Sequence, residues 1–159
     1  MYLNCHSYHS LRYGTIPITG LIQLAKENGV TQMALTDINA SAGVFDFVKC
    51  CLENGIKPLV GIEFRSDQKL LYIALAKNTD GFAEICTYLS FYNLAKEKVP
   101  SCAPEFKNVF VIYTLDTAPK KLREFEFIGI RKSDLTQLIQ PKWHHLIYNL
   151  HQNQLSFHN

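Results

Sequence analysis

Residues 55–63 read GIKPLVGIE, and this stretch holds a helix stop, a buried strand and a carboxylate in direct succession. Gly55 ends the amphipathic segment Gly43–Asn54, which predicts a helix that stops there. The apolar run Lys57–Phe64 predicts a buried strand. Glu63 lies at the end of that strand, where the active residues of parallel α/β proteins collect. The stretch therefore predicts an α/β fold with a candidate functional residue at a strand end.

The same order of elements extends outward from this stretch. Apolar runs and amphipathic segments alternate along most of the chain. The predicted strands are Tyr2–Cys5, Gln32–Thr36, Lys57–Phe64, Lys69–Ala76, Asn108–Tyr113, Phe125–Ile130 and Trp143–Leu150, and the predicted helices are Pro17–Asn28, Gly43–Asn54, Asp80–Phe91 and Ser133–Ile139. Strand–helix–strand alternation predicts mostly parallel strands with helices packed outside them.

Composition narrows the class of protein. The chain has 159 residues, of which 47% are hydrophobic, so we expect a single domain over residues 1–159 with a substantial core. The formal net charge is +2 and the basic residues are scattered, which argues against a strongly basic nucleic-acid-binding face. The five cysteines form no Cys-x-x-Cys pair, and no apolar run reaches the ~18 residues of a membrane helix. We therefore expect a reduced, cytoplasmic protein without a membrane span.

Three candidate ligands accompany the first three predicted strands. His6 follows the first strand, Asp37 follows the second, and Glu63 ends the third. Because the carboxyl ends of parallel strands lie on one rim, these side chains are expected to converge. One imidazole and two carboxylates form a donor set that divalent metals accept. A metal held there would activate water and stabilise charge during phosphoester hydrolysis.

Each candidate also has an interpretation without a metal. His6 would be a strand-end histidine bonded to the backbone. Asp37 would cap the turn or helix that follows it. Glu63 would be a buried carboxylate paired with a basic residue, or a surface residue. The residue pattern alone leaves these alternatives open.

The same segments carry a resemblance to a known family. The motifs are His6-Ser7-x-x-Ser10-Leu11 with Gly14, then Ala34–Asp37, then Gly55–Glu63, and then Ala76-Lys77-Asn78 with Gly81-Phe82. Their order and spacing resemble the PHP (polymerase and histidinol phosphatase) domain at the N-terminus of bacterial DNA polymerase III alpha subunits. The resemblance is best over residues 1–90. Further along, Ala103–Phe106, Val109–Tyr113 and Glu126–Gly129 resemble a divergent, Bacteroidetes-type branch.

The resemblance implies a distorted (β/α) barrel, partial or open in a chain of this length. It also implies that most of the family's metal ligands are missing. The positions where the family carries ligands hold Asn4, Tyr13, Ile38 and Leu71 here. Neutral Asn is a poor substitute for imidazole at a transition metal, and Ile and Leu cannot ligate. Only the three candidates above remain, so a degenerate metal site is expected and no cofactor, or at most a zinc or manganese ion.

The function implied is a structural one in DNA replication. The chain is expected to be a fragment of a much longer DNA-directed DNA polymerase, a nucleotidyltransferase, and to be inactive by itself. Its expected partners are the rest of the polymerase chain, other replicase subunits such as a proofreading exonuclease, and DNA through the full-length protein, with no membrane. Two alternatives are an active metal-dependent phosphoesterase (a 3′–5′ exonuclease or pyrophosphatase) and a stand-alone PHP-like binding protein.

Overall fold

The computed structural model describes residues 1–130, Asp134 and Thr136. Within that part of the chain, strands and helices alternate from the N-terminus. The strands are β1 Tyr2–Cys5, β2 Gln32–Leu35, β3 Lys57–Ser66, β4 Lys69–Ala76, β5 Val109–Thr114 and β6 Glu126–Gly129, and the helices are α1 Ile18–Glu27, α2 Val44–Glu53 and α3 Thr79–Ala95. The strands form one sheet in the order β1-β2-β3-β4-β5-β6, which confirms the predicted α/β class.

The first half of the sheet is parallel. Register pairs such as Tyr2 with Met33 and Leu35 with Val60 join β1 to β2 and β2 to β3. Helices α1 and α2 make the two crossovers, as the alternation predicts. Each helix is followed by a glycine with positive φ, Gly29 at 65° and Gly55 at 70°, so both Asn-Gly steps are helix stops.

From β3 to β5 the sheet is antiparallel, which corrects the expectation of mostly parallel strands. β3 pairs with β4 antiparallel, and β4 pairs with β5 antiparallel, so the sheet is mixed. The physical reason is the connection after β3. Only Asp67 and Gln68 separate β3 from β4, and Asp67 adopts φ 55°. So short a turn can only fold a strand back beside itself, because a parallel return needs a crossover of a dozen or more residues.

Side chains on the two faces of the sheet enter different clusters. On β2, Met33 and Leu35 pack with α1 and α2, while Ala34 between them faces the other way. On β3, Ile62 and Phe64 join a cluster with residues of α3 and β5. The opposite face carries a small cluster of Ala34, Ile73 and Leu75, which comes entirely from strands. Glu63 alternates with Ile62 and Phe64 and therefore points toward this helix-free face.

The chain separates into two units, Met1–Ile128 and Gly129–Asn159. The first contains the helices, β1 to β5 and all of the candidate residues. Of the second, the structure describes Gly129, Ile130, Asp134 and Thr136. The predicted helix Ser133–Ile139 lies largely, and the predicted strand Trp143–Leu150 entirely, outside the described residues. Among the described residues, no helix has the length and apolar character to cross a membrane.

Candidate functional site

The end of β2 and the middle of β3 bring the candidate carboxylates onto adjacent strands. The ladder between β2 and β3 continues past β2 through a parallel bridge between Ile38 and Glu63. The Glu63 N–H donates to the Asp37 carbonyl at 3.2 Å, and the Asn39 N–H donates to the Glu63 carbonyl at 3.0 Å. His6 directly follows β1 beside them. The structure therefore brings His6 and Glu63 together, places Asp37 on the neighbouring strand, and puts Glu63 within β3 and not at its end.

The Glu63 carboxylate is buried and is held by three side-chain donors. Glu63 is 0% exposed to solvent. Asn4 Nδ2 donates to Oε2 at 2.9 Å, and His6 Nε2 lies 3.1 Å from the same oxygen. Arg65 Nε donates to the other oxygen, Oε1. Both oxygens of Glu63 are thus engaged, and its interpretation as a buried carboxylate paired with a basic residue fits this geometry.

These contacts change the acidity of Glu63. Burial by itself raises the pKa of its carboxyl, because the charged form loses hydration. The hydrogen bonds from His6, Asn4 and Arg65 favour the ionised form and outweigh that effect. The pKa of Glu63 therefore lies below its ordinary value, and Glu63 is an anion at neutral pH.

Arg65 is fixed on three sides around this ion pair. Its guanidinium carbon lies 4.3 Å from the centre of the Tyr13 ring, a cation–π contact. The Asn39 side chain binds the Arg65 backbone twice, since Nδ2 donates to the carbonyl at 2.9 Å and Oδ1 accepts from the N–H at 3.0 Å. Sequence reasoning did not name Arg65, although its spacing of two residues from Glu63 on a strand signals a shared face.

Asp37 is equally buried but has different partners. It is 1% exposed and accepts three hydrogen bonds from the loop after β1. The Ser7 N–H and the Ser10 hydroxyl donate to Oδ1 at 2.7 and 2.6 Å, and the Ser7 hydroxyl donates to Oδ2 at 2.7 Å. The Ile38 N–H donates to Ser10 Oγ at 3.0 Å. Asp37 therefore binds that loop and does not cap the segment that follows it.

The loop that reaches Asp37 is closed by a glycine. The Gly14 N–H donates to the Ser10 carbonyl at 2.8 Å. A Cβ at position 14 would lie 1.7 Å from the Ser7 carbonyl oxygen, so only glycine allows this approach. The glycine of the first motif thus has a physical role, which is to let the loop fold tightly enough to place both serines on Asp37.

The four positions that the family resemblance marks as former ligands have distinct environments. Asn4 donates to Glu63 and accepts from Thr36 Oγ1 at 2.7 Å. The Tyr13 ring lies against Arg65. Ile38 contributes its backbone to the bridge described above. Leu71 is 4% exposed and belongs to the core cluster on the α3 side of the sheet, away from the rim.

These contacts show whether His6, Asp37 and Glu63 are arranged to bind a metal. His6 and Glu63 touch each other, whereas Asp37 is bound to serines. Among residues 1–130, Asp134 and Thr136, no group of three or more His, Cys, Asp or Glu side chains is arranged to hold a metal ion. The oxygens of both carboxylates accept protein hydrogen bonds, and a guanidinium already adjoins Glu63. In this conformation the residues do not fit the multinuclear metal centre that the family resemblance implies.

Comparison with known proteins identifies the family. Residues 3–128 match the family model for the PHP domain. The chain belongs to the PHP domain family. Over 95 residues it is 33% identical to DNA polymerase III subunit alpha of Ureaplasma parvum, covering 60% of this chain and 10% of that protein. The subunits of Chlamydia muridarum and Staphylococcus aureus are 33% and 32% identical over 53% of this chain and 8% of each protein. The chain thus spans a tenth or less of these relatives.

Two solved structures are similar to this chain at TM-scores below 0.5. A protein described as a candidate metal-dependent phosphoesterase from Bifidobacterium adolescentis gives a TM-score of 0.49 at 12% identity, covering 96% of this chain and 83% of that one. An amidohydrolase from Chromobacterium violaceum, with bound sulfate and no metal, gives a TM-score of 0.47 at 22% identity, covering 59% and 33%. Neither bears on the function of this chain.

Proposed function

We propose that this chain is the PHP domain of a bacterial DNA polymerase III alpha subunit, with a structural role in DNA replication and a degenerate phosphoesterase site. The polymerase subunits that it resembles support the first part of this proposal. The second part is supported by what surrounds the two carboxylates of the rim. If the chain has this role, its partners are the rest of the polymerase chain, a proofreading subunit, and DNA through the full-length protein. Its location is then the cytoplasm.

The observation that carries the proposal is the closed environment of Glu63. A metal ligand must present a free oxygen lone pair to the ion. In this site Asn4 and His6 share one oxygen of Glu63, and the Arg65 guanidinium occupies the other. Oε1 keeps a second lone pair, but a divalent cation that approached it would come close to the positive charge of the Arg65 guanidinium. That repulsion opposes metal binding.

The same contacts suit a structural role. Glu63 ties β3 to the end of β1 through Asn4 and His6, and Asp37 ties the end of β2 to the loop after β1. The rim where a metal would cross-link three strands is therefore cross-linked by side chains. A rigid N-terminal module of this kind fits a domain that supports a larger polymerase body.

An active phosphoesterase is the second candidate, because His6 Nε2 and Glu63 Oε2 still lie 3.1 Å apart at the rim. Hydrolysis assays separate the two candidates. The substrates are bis(p-nitrophenyl) phosphate, pyrophosphate and a single-stranded oligonucleotide, each with zinc or manganese, and Glu63→Gln is the control. The proposal predicts equal background rates for the wild type and the variant. A metal-dependent rate that Glu63→Gln abolishes would overturn it.

A further inference from the structure

The negative charge of Glu63 is buried and must be compensated inside the protein. On β4 the residue opposite Glu63 is Ile73, which belongs to the strand-only cluster with Ala34 and Leu75. The Glu63 side chain is 1% exposed, so water does not hydrate its charge. A carboxylate buried beside apolar groups is stable only when a cation or several donors compensate it. The compensating group is therefore essential to this face of the sheet.

Arg65 supplies that charge from the same strand. Its Nε donates to Glu63 Oε1, and its side chain is itself only 16% exposed. The Tyr13 ring packs against the guanidinium, and Asn39 fixes the backbone of Arg65. A guanidinium keeps its charge at every pH at which proteins fold. His6 also contacts Glu63, but its imidazole is positive only when it is protonated.

We propose that the Arg65 guanidinium is a built-in cation that takes the charge-compensating place of a divalent metal at Glu63 and excludes a metal from this centre. The inference deepens the proposed function, with which it shares the site, by naming the residue that closes it. A shortage of metal ligands would by itself be enough to leave the domain without a metal. In contrast, we infer that Arg65 would exclude a metal even if enough ligands were present.

The geometry suggests how to supply the missing ligand. Asn4 Nδ2 and His6 Nε2 approach the same oxygen of Glu63, at 2.9 and 3.1 Å. Replacing Asn4 by histidine would bring a second imidazole toward Glu63 beside the first. Two imidazoles and one carboxylate are a sufficient set of protein ligands for zinc. Arg65 would then be the remaining obstacle.

The test compares Asn4→His with Asn4→His/Arg65→Gln in the 159-residue chain. The readouts are zinc content after gel filtration and melting temperature with and without zinc. We expect about one zinc ion per chain in the double variant, with a zinc-dependent rise of several degrees in Tm. We expect neither effect in Asn4→His, because Arg65 is still in place. Equal zinc binding by both variants, or zinc binding by neither, would overturn the inference.

A double-mutant cycle of Glu63 and Arg65 tests the inference independently, in case Asn4→His/Arg65→Gln folds poorly. Arg65→Gln should lower Tm by about 10 °C, since it leaves Glu63 buried without its cation. Glu63→Gln/Arg65→Gln removes both charges and should recover at least half of that loss. Lys98→Gln, which breaks the exposed Lys98–Asp67 pair, is the matched control and should leave Tm unchanged. A double variant as unstable as Arg65→Gln would contradict charge compensation.

The two proposals fail in different ways. Stoichiometric zinc or manganese in the wild-type chain would overturn the proposed function. A metal-free wild type together with an Asn4→His variant that binds zinc beside Arg65 would overturn only the inference about Arg65.

Discussion

Ser7 binds both oxygens of Asp37, since its backbone N–H donates to Oδ1 and its hydroxyl donates to Oδ2, each at 2.7 Å. The loop after β1 is thereby joined to the end of β2 around a carboxylate that is 1% exposed. Hydrogen bonds to charged groups are among the stronger ones in proteins, and leaving a buried acceptor without its donor is costly. This contact therefore makes a measurable contribution to stability.

Replacing Ser7 by alanine should destabilise the chain by about 2 kcal/mol, because the Asp37 carboxylate loses one of its donors without access to water. Urea unfolding followed by circular dichroism measures the difference. Ser101→Ala, at an exposed position, is the matched control and should be neutral. Equal unfolding midpoints for Ser7→Ala and Ser101→Ala would show that the contact contributes nothing.

Replacing Gly61 by alanine should destabilise the pairing of β3 with β4. A Cβ at Gly61 would lie 2.2 Å from the Ala74 carbonyl oxygen, which is backbone and cannot swing away. We expect a loss of about 2–3 kcal/mol, measured by urea unfolding. Gly55→Ala is the comparison, since its φ is +70° but nothing lies within 4 Å, so its cost should be limited to about 1–2 kcal/mol of backbone strain. A Gly61→Ala variant more stable than Gly55→Ala would contradict the geometry.

Glu84 should make stability depend on pH. It accepts hydrogen bonds from the backbone N–H groups of Lys107 at 2.8 Å and Asn108 at 3.1 Å, and from Asn108 Nδ2 at 3.0 Å. Burial raises the pKa of Glu84, but the three hydrogen bonds together outweigh that effect and hold the pKa below its ordinary value. A carboxyl with a depressed folded-state pKa contributes stability above its unfolded pKa and loses it as pH falls through the folded value.

Glu84→Gln should therefore be less stable than the wild type at pH 7, and the difference should shrink as pH falls below about 4.3, the ordinary glutamate pKa. Urea midpoints at pH 7, 5 and 3.5 measure this trend. Glu53→Gln, at an exposed position at the end of α2, is the control. A Glu84→Gln difference that stays constant across that range would contradict the prediction.

Buried and exposed cysteines should differ in the reactivity of their thiols. Cys51 is 0% exposed, and burial, with a smaller effect of Cys50, raises the pKa of its thiol to about 12. Cys102 is exposed. Because the thiolate is the reactive form, iodoacetamide at pH 7.5 should label Cys102 in the folded chain and Cys51 only after unfolding. Peptide mass spectrometry measures both, and rapid labelling of Cys51 in the folded chain would contradict the packing of α2.

Much of the fold could be predicted because the strands are compact apolar runs. Lys69–Ala76 has the predicted bounds, and Lys57–Phe64 is only two residues short of β3. The direction of β4 was missed, because the turn lacks the glycine or asparagine that usually marks a hairpin, although the four residues between the two predicted strands are too few for a parallel crossover.

The candidate site was predicted only in part. Strand-end reasoning expected His6, Asp37 and Glu63 near one rim, and in the structure they lie on or directly after three neighbouring strands, although Glu63 lies within β3. It did not separate Asp37 from the other two, since that depends on the loop path that brings Ser7 and Ser10 to its oxygens. Arg65 was not predicted, because a search for metal ligands considers imidazoles and carboxylates and leaves out positively charged side chains. The loss of the metal site and the Bacteroidetes-type branch stay predictions.

Metal content is the most direct test of whether protein donors have closed this rim. The purified 159-residue chain is incubated with zinc and manganese, freed of unbound ions and measured by elemental analysis, with Glu63→Ala alongside. The proposed structural role predicts less than about 0.1 ion per chain in both proteins, because the Glu63 oxygens are bound by Asn4, His6 and Arg65. A stoichiometric ion in the wild type that disappears in Glu63→Ala would contradict it and would identify a metal centre.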